Sequence, residues 1–284
     1  MHTQSPSIQH WSEVTETVLV PLLQAERLGL ITDMDGTISH VADTPEAAVV
    51  TPKNRKILST MVLMLPLVAT ISGRSARDLH SRVAIPGMVY VGNHGLERWQ
   101  NGGRVLNDYV RRYRKALVSA LDELRPHLTI GMWIEDKYAT ASVHYRLTPN
   151  PDEAAKTLEP IIQEIVQKYG LRANAGRRLF EIRPPIDANK GTALLDLFNE
   201  YKLDAVIYLG DDITDIDAMK MNRRLRDTTG CHTLNVAVIS DNGDQEQQNI
   251  SEKLREYADI YVRDVNDVEQ FLDWLLEALC KQRN

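Results

Sequence analysis

The sequence predicts an α/β protein: a doubly wound, mostly parallel sheet core with an inserted α/β cap domain. Three observations carry this expectation. Residues 28–32, 67–71 and 205–209 are apolar runs without polar alternation, as strands are when a parallel sheet is covered on both faces. Helix-like stretches separate such runs, which suits right-handed crossovers. The pattern breaks near residue 99 and resumes at Lys190, so a second α/β layer is expected inside the sequence of the first.

Each element has its own reason. Residues 11–28 place Trp11, Val14, Val18, Leu19, Leu22 and Leu23 at helical spacing, with Pro21 able to bend or divide the helix. Residues 1–10 are polar and expected to be loose. Strands are expected at 28–33, 67–71 and 88–92, with helices at 52–65 and 75–83. Asn101-Gly102-Gly103 signals a turn. Beyond it, helices are expected at 108–126 and 151–169 and strands at 130–135, 140–147 and 178–183, a mostly antiparallel layer. The parallel pattern returns as helix 190–200, strand 205–209, helix 214–223, strand 233–239 and helix 266–280. The expected domains are a discontinuous core of 1–100 and 186–284 and a cap of 101–185, with Pro184-Pro185 stiffening the second connector.

Bulk composition excludes several classes. The 284 residues are 43% hydrophobic and 25% charged, ordinary for a water-facing globular chain. A net charge of −6 argues against nucleic acid as partner, which favours a basic face. Cys231 and Cys280 are too few for a disulfide framework or a cysteine-built metal site. No apolar run reaches the roughly 18 residues of a membrane span, and the first residues lack a basic start followed by an apolar core. A cytoplasmic enzyme without membrane partner is expected, as a monomer or small homo-oligomer.

The chemistry gathers where the apolar runs end. Asp33-Met34-Asp35-Gly36-Thr37 puts two carboxylates two residues apart at a strand exit, where turning backbone lets both serve one side. One carboxylate can attack while the other moves a proton. Gly36 permits the turn, and backbone N–H groups there can hold an anion. The plain alternative is an Asx-rich turn. It weakens because Ser72-Gly73-Arg74, Lys190-Gly191-Thr192 and Gly210-Asp211-Asp212-Ile213-Thr214-Asp215 follow in a compatible order. Ser72 can donate its hydroxyl to a phosphoryl oxygen or simply cap the next helix. Lys190 can supply a point charge to an anion or be an ordinary solvated helix residue.

This ordered set resembles the haloacid dehalogenase superfamily of phosphatases over nearly the whole chain after residue 28. Gly92-Asn93-His94-Gly95-Leu96-Glu97, Glu135-Asp136-Lys137, Val143-His144-Tyr145-Arg146 and Phe180-Glu181-Ile182-Arg183-Pro184 resemble its trehalose-6-phosphate phosphatase branch. The resemblance implies a haloacid dehalogenase-like, Rossmann-type core and a sugar-phosphate substrate. It implies Asp33 as the nucleophile of an aspartyl-phosphate intermediate and Asp35 as general acid, then base. Ser72 and Lys190 would hold the phosphoryl group. Mg²⁺ would be held by Asp33, the Asp35 carbonyl and Asp211, with Asp212 and Asp215 outside that set. Glu135, Lys137 and Glu181 would contact glucose hydroxyls. Gly73, Arg74, Asn93, Arg146, Arg178 and Arg183 are further substrate-binding candidates. His94 is expected to support its loop and His144 to be a satisfied structural histidine.

Met34 stands where family members commonly carry an aromatic residue, and the N-terminal segment is not covered by the resemblance. Other capped phosphatases, for sucrose 6-phosphate or mannosyl-3-phosphoglycerate, share the core residues. A silent sugar-phosphate sensor and a phosphosugar mutase are rivals from other classes.

Overall fold

The structure, a computed structural model, describes residues 8–42, 44–100, 102–240 and 245–283. It divides into two compact units, Met1–Gly103 with Ala188–Asn284, and Arg104–Asp187. In chain order the strands are β1 (Gln9–His10), β2 (Leu28–Thr32), β3 (Leu67–Ile71), β4 (Val89–Gly92), β5 (Glu97–Gln100), β6 (Gly103–Leu106), β7 (Trp133–Asp136), β8 (Ala141–His144), β9 (Arg172–Gly176), β10 (Leu179–Arg183), β11 (Ala205–Gly210), β12 (His232–Val238) and β13 (Ile260–Val262). The α-helices are α1 (Val20–Leu23), α2 (Pro52–Met61), α3 (Ala76–Val83), α4 (Asp108–Leu124), α5 (Pro151–Lys168), α6 (Lys190–Tyr201), α7 (Asp215–Thr229), α8 (Gln245–Tyr257) and α9 (Val265–Arg283).

In the first unit the strand order is β1-β13-β12-β11-β2-β3-β4-β5. Every pairing along it is parallel except β4 with β5. Alternation persists inside the apolar runs, but both faces are dry. Leu28 and Leu30 of β2 join one apolar cluster, with Val68, Ile207 and Leu209. Ile31 joins the other, with Ala69, Ile71, Val206 and Tyr208. Two buried faces are why these strands read as unbroken apolar sequence.

Helix starts are written locally. Thr51 caps α2 and Pro52 follows it, while Ser75 caps α3 by accepting from the Asp78 N–H. Asn189 and Thr192 form a reciprocal capping box at α6.

In the second unit β7-β8-β10-β9 form an antiparallel sheet. Ala141, Val143, Phe180 and Ile182 pack beneath Leu117 and Leu121 of α4 and Leu158 and Ile162 of α5. One sheet face is therefore helix-covered, and the alternate residues form the other. The chain leaves the first unit within β6.

Several expectations need correction. The single helix over 11–28 is instead a 3₁₀ turn at Trp11–Glu13, a π turn at Thr15–Leu19 and the short α1. Pro21 lacks the N–H that would continue one ladder through that stretch. Residues 1–7 lie outside the described residues, but Gln9 and His10 are strand, paired with Ile260 and Tyr261. β9 and β13 had no expectation. The Arg-Ala-Asn-Ala-Gly sequence of β9 lacks β-forming residues, and pairing with β10 makes it a strand. Helix α7 runs to Thr229, where Gly230 at φ 73° ends it.

Candidate active site

The ends of β2, β3, β4 and β11 bring together four loops, as open parallel sheets do at the carboxyl ends of their strands. Asp33 leaves β2 with its N–H bonded to the Leu209 carbonyl of β11. Across that join lies Asp211, whose Oδ1 accepts from Thr37 Oγ1 at 3.1 Å. Gly36, at φ 76°, packs against the same carboxylate, since a Cβ there would lie 2.0 Å from Asp211 Oδ2. Close approach and backbone conformation both demand glycine here.

Lys190 opens α6 and is 2% exposed. Its Nζ donates at 2.7 Å to both Asp33 Oδ2 and Asp215 Oδ1. A cation at a helix N-terminus opposes the helix dipole, so the two carboxylates must hold it there. Burial works against its charge, but Asp215 and Asp33 more than reverse this and keep the ammonium above the usual lysine range.

Asp215, fully buried, accepts from Lys190 and Tyr208 on Oδ1 and from the N–H groups of Asp211 and Asp212 on Oδ2. Four donors occupy the accepting capacity of one carboxylate. Asp215 therefore organises the site. Its sequence signal was weak because an aspartate at a helix start is ordinary. Tyr208, inside the apolar run of β11, gave no signal of contacting it.

Asp33, Asp211 and Asp215 can each offer an oxygen with all three within 4.8 Å. Three carboxylates face one ammonium, so with all three ionised two negative charges would be left uncompensated. Burial pushes the Asp33 carboxyl up to about 7, with Lys190 pulling it down and Asp215 up. Burial, then Asp33 and Asp215, push the Asp211 carboxyl well above the usual range. A site strained by excess negative charge and built of carboxylate oxygens fits a hard divalent cation. Since Asp215 is saturated, Asp33 and Asp211 are the side chains suited to hold it.

Asp35 is held by Arg74. The guanidinium donates from Nε to Asp35 Oδ2 at 2.6 Å and from Nη2 to Oδ1 at 2.8 Å. Its Nη1 reaches Asp78, which also binds Arg82. Burial opposes the charge of Arg74, yet Asp35 and Asp78 raise its pKa further. Arg74, expected to meet substrate, is thus engaged with the Asp35 carboxylate. Ser72 is 3% exposed, and its Oγ accepts from the Arg74 N–H at 3.2 Å. It does not cap α3, a task Ser75 performs. A Cβ at Gly73 would lie 2.7 Å from His94 Nε2, so the His94 ring packs against the Gly73 backbone, which gives His94 its loop-supporting place. Asn93 is fully buried and its amide donates to Glu97, which also accepts from the Ala76 N–H, so it braces the loop.

In the second unit, register puts Glu135, Ser142, Glu181 and Asn174 in one row across the sheet, and directly opposed residues share a face. Lys137 Nζ lies 3.8 Å from Glu181 Oε1, and Arg183 Nη1 lies 4.0 Å from Glu181 Oε2. Of the expected residues, Glu135, Lys137, Glu181 and Arg183 belong to this polar face. Arg146 follows β8, half-buried. Arg178 departs: it sits in the β9–β10 turn at φ 59° and pairs with Asp152 in the first turn of α5, the helix packed on the opposite face. Sequence reasoning missed Ser142 and Asn174. Alternation along β8 was the available signal for Ser142.

A family model described as trehalose-phosphatase matches residues 31–257. The chain belongs to the trehalose-phosphatase family. That family lies in the haloacid dehalogenase superfamily, and its matched span includes every expected site residue. Trehalose-phosphate phosphatase from Mycobacterium tuberculosis is 32% identical over 232 residues, covering 78% of this chain and 57% of that protein. The chain thus spans little more than half the length of the curated relatives it matches. Among solved structures, a trehalose-6-phosphate phosphatase related protein aligns with TM-score 0.72 and 22% identity, over 90% of this chain and all of that one. The C-terminal domain of the Candida albicans trehalose-6-phosphate phosphatase aligns with TM-score 0.70 and 20% identity, covering 96% of this chain and 99% of that domain. At these identities the trehalose-phosphatase structures establish the shared fold. No helix among the described residues is long and apolar enough to cross a membrane.

Proposed function

We propose that this chain hydrolyses trehalose 6-phosphate to trehalose and phosphate, in trehalose biosynthesis, through an aspartyl-phosphate intermediate and with Mg²⁺ as cofactor. The observation that carries the chemistry is the buried Lys190 ammonium between Asp33 and Asp215, beside Asp211. Membership of the trehalose-phosphatase family supports the substrate.

Asp33 is the nucleophile. Lys190 partly offsets the desolvation that raises its pKa and supplies positive charge to the transferring phosphoryl group. An Asp33 oxygen forms the new P–O bond as the sugar oxygen departs, and Asp35 gives that oxygen its proton. Asp35 then takes a proton from the water that splits the phosphoenzyme, regenerating Asp33 and releasing phosphate. Both Asp35 oxygens accept from Arg74 in the structure, so Arg74 sets the orientation of the carboxylate that serves as acid and then base. Ser72 donates its hydroxyl to a phosphoryl oxygen.

Asp33, the Asp35 carbonyl and Asp211 would hold Mg²⁺, which when bound neutralises charge on the phosphoryl oxygens. Glu135, Lys137 and Glu181 would read the glucose hydroxyls. Two cysteines without a disulfide, Cys231 and Cys280, suit the cytoplasm.

Phosphate release from trehalose 6-phosphate, sucrose 6-phosphate, glucose 6-phosphate and mannosyl-3-phosphoglycerate, each with Mg²⁺ and with EDTA, tests this reading. Metal-dependent release from trehalose 6-phosphate alone is expected. Preference for another sugar phosphate would overturn the substrate, and release of none would overturn the enzyme.

A further inference from the structure

We infer that His144 is a positioning residue for sugar recognition, aiming the Glu135 carboxylate at a sugar hydroxyl. This rests on the reading of the polar β7-β8-β10 face as the sugar-recognising surface. Along β8, Ala141 and Val143 enter the apolar cluster, so Ser142 and His144 belong to the polar face. That face would ordinarily leave an imidazole wet. His144 is instead 2% exposed. Its ring stacks on Trp133, with centroids 4.4 Å apart and planes 11° from parallel.

The stack fixes the ring plane, and Nε2 meets Glu135 Oε2 at 2.9 Å. An ionised carboxylate only accepts, so Nε2 carries the hydrogen. The expectation of a satisfied structural histidine fails at the other nitrogen. His144 Nδ1 is buried without a partner, and so is Ser142 Oγ two residues earlier on the same face. Burying a polar atom unpaired opposes folding, so packing alone would favour an apolar ring here. What imidazole adds is a directed N–H. The Glu135 side chain is 36% exposed, and the bond from Nε2 restricts the rotamers open to it. Fixing one oxygen sets where its accepting lone pairs point. A site built to bond a hydroxyl discriminates only as well as its acceptor is held.

The test uses His144→Phe, which keeps a stacking ring and removes the N–H, and His144→Gln, which restores a donor near the Nε2 position. Kinetics are measured with whichever sugar phosphate the wild type turns over fastest, so a wrong substrate assignment does not decide the fate of His144. p-Nitrophenyl phosphate, which has no sugar hydroxyls, is the second substrate. His144→Phe should raise KM for the sugar phosphate about tenfold or more while kcat/KM for p-nitrophenyl phosphate stays within about twofold. His144→Gln should recover most of the loss. On a Glu135→Ala background, His144→Phe should add little, because the pair acts as a unit. A calorimetric titration with that same sugar phosphate, on an Asp33→Asn background, gives the same reading without turnover. An unchanged sugar KM, equal losses on both substrates, or full additivity with Glu135→Ala would overturn the proposal.

Discussion

At the residue scale, side chains that do the same thing in sequence do different things in space. Asp33, Asp211 and Asp215 are all aspartates at strand or helix ends, yet only Asp215 has its accepting capacity saturated by four donors. Asp33→Asn should abolish turnover, by more than about a thousandfold, while trehalose 6-phosphate still binds. Single-turnover phosphate release and a binding titration check this, and near-normal turnover would remove Asp33 from the nucleophile's role. Asp215→Asn weakens the charge pairing of Lys190 and sets an amide NH2 against the Asp211 and Asp212 N–H groups, and should cost about 3–5 kcal/mol of stability. Urea denaturation measures that cost. A change below about 1 kcal/mol would mean the buried cluster adjusts around the amide.

At the element scale, loops deliver the chemistry and caps fix the loops. Lys190 is the first residue of α6, so the Asn189–Thr192 capping box sets its position. Asn189→Ala should cost about 1 kcal/mol and should also lower kcat, because the ammonium loses its fixed mount. Urea denaturation with steady-state kinetics separates the two effects, and an unchanged kcat would detach the cap from catalysis. The same logic shows what the sequence concealed. Helix α6 and strands β2, β3 and β11 were legible because propensity, caps and apolar runs agreed. Strand β9 was not, because its partner β10 supplies the order that its residues lack. For Ser72 the sequence left a helix cap as the alternative to a phosphoryl contact, and Ser75 holds the cap position.

At the scale of the whole molecule, stability and cofactor are linked through charge. Asp33 titrates near 7 in the folded chain against an ordinary 3.8. The folded state therefore binds more protons between those values. The contribution of this site is full below about pH 4 and is lost as pH rises through about 7. Metal-free protein should lose stability across that window, and Asp33→Asn should flatten the slope. Added Mg²⁺ should restore stability at the upper end, because it binds the ionised carboxylates. Thermal melts against pH, with and without Mg²⁺, read all three, and a metal-independent slope would argue against a cation at this site. The sequence by itself determined the class of the protein. Unbroken apolar runs fix a sheet buried on both faces, and short motifs at their ends fix the kinds of side chain available for phosphoryl chemistry. Those are local facts, set by residue type and spacing. Tertiary structure alone decided the division of labour. It saturates Asp215, locks Arg74 onto Asp35, buries Asn93 behind its loop, turns Arg178 to the helix side and stacks His144 on Trp133. Each outcome depends on where the folded backbone sets a partner, and hydrogen bonding and desolvation depend on that partner's position.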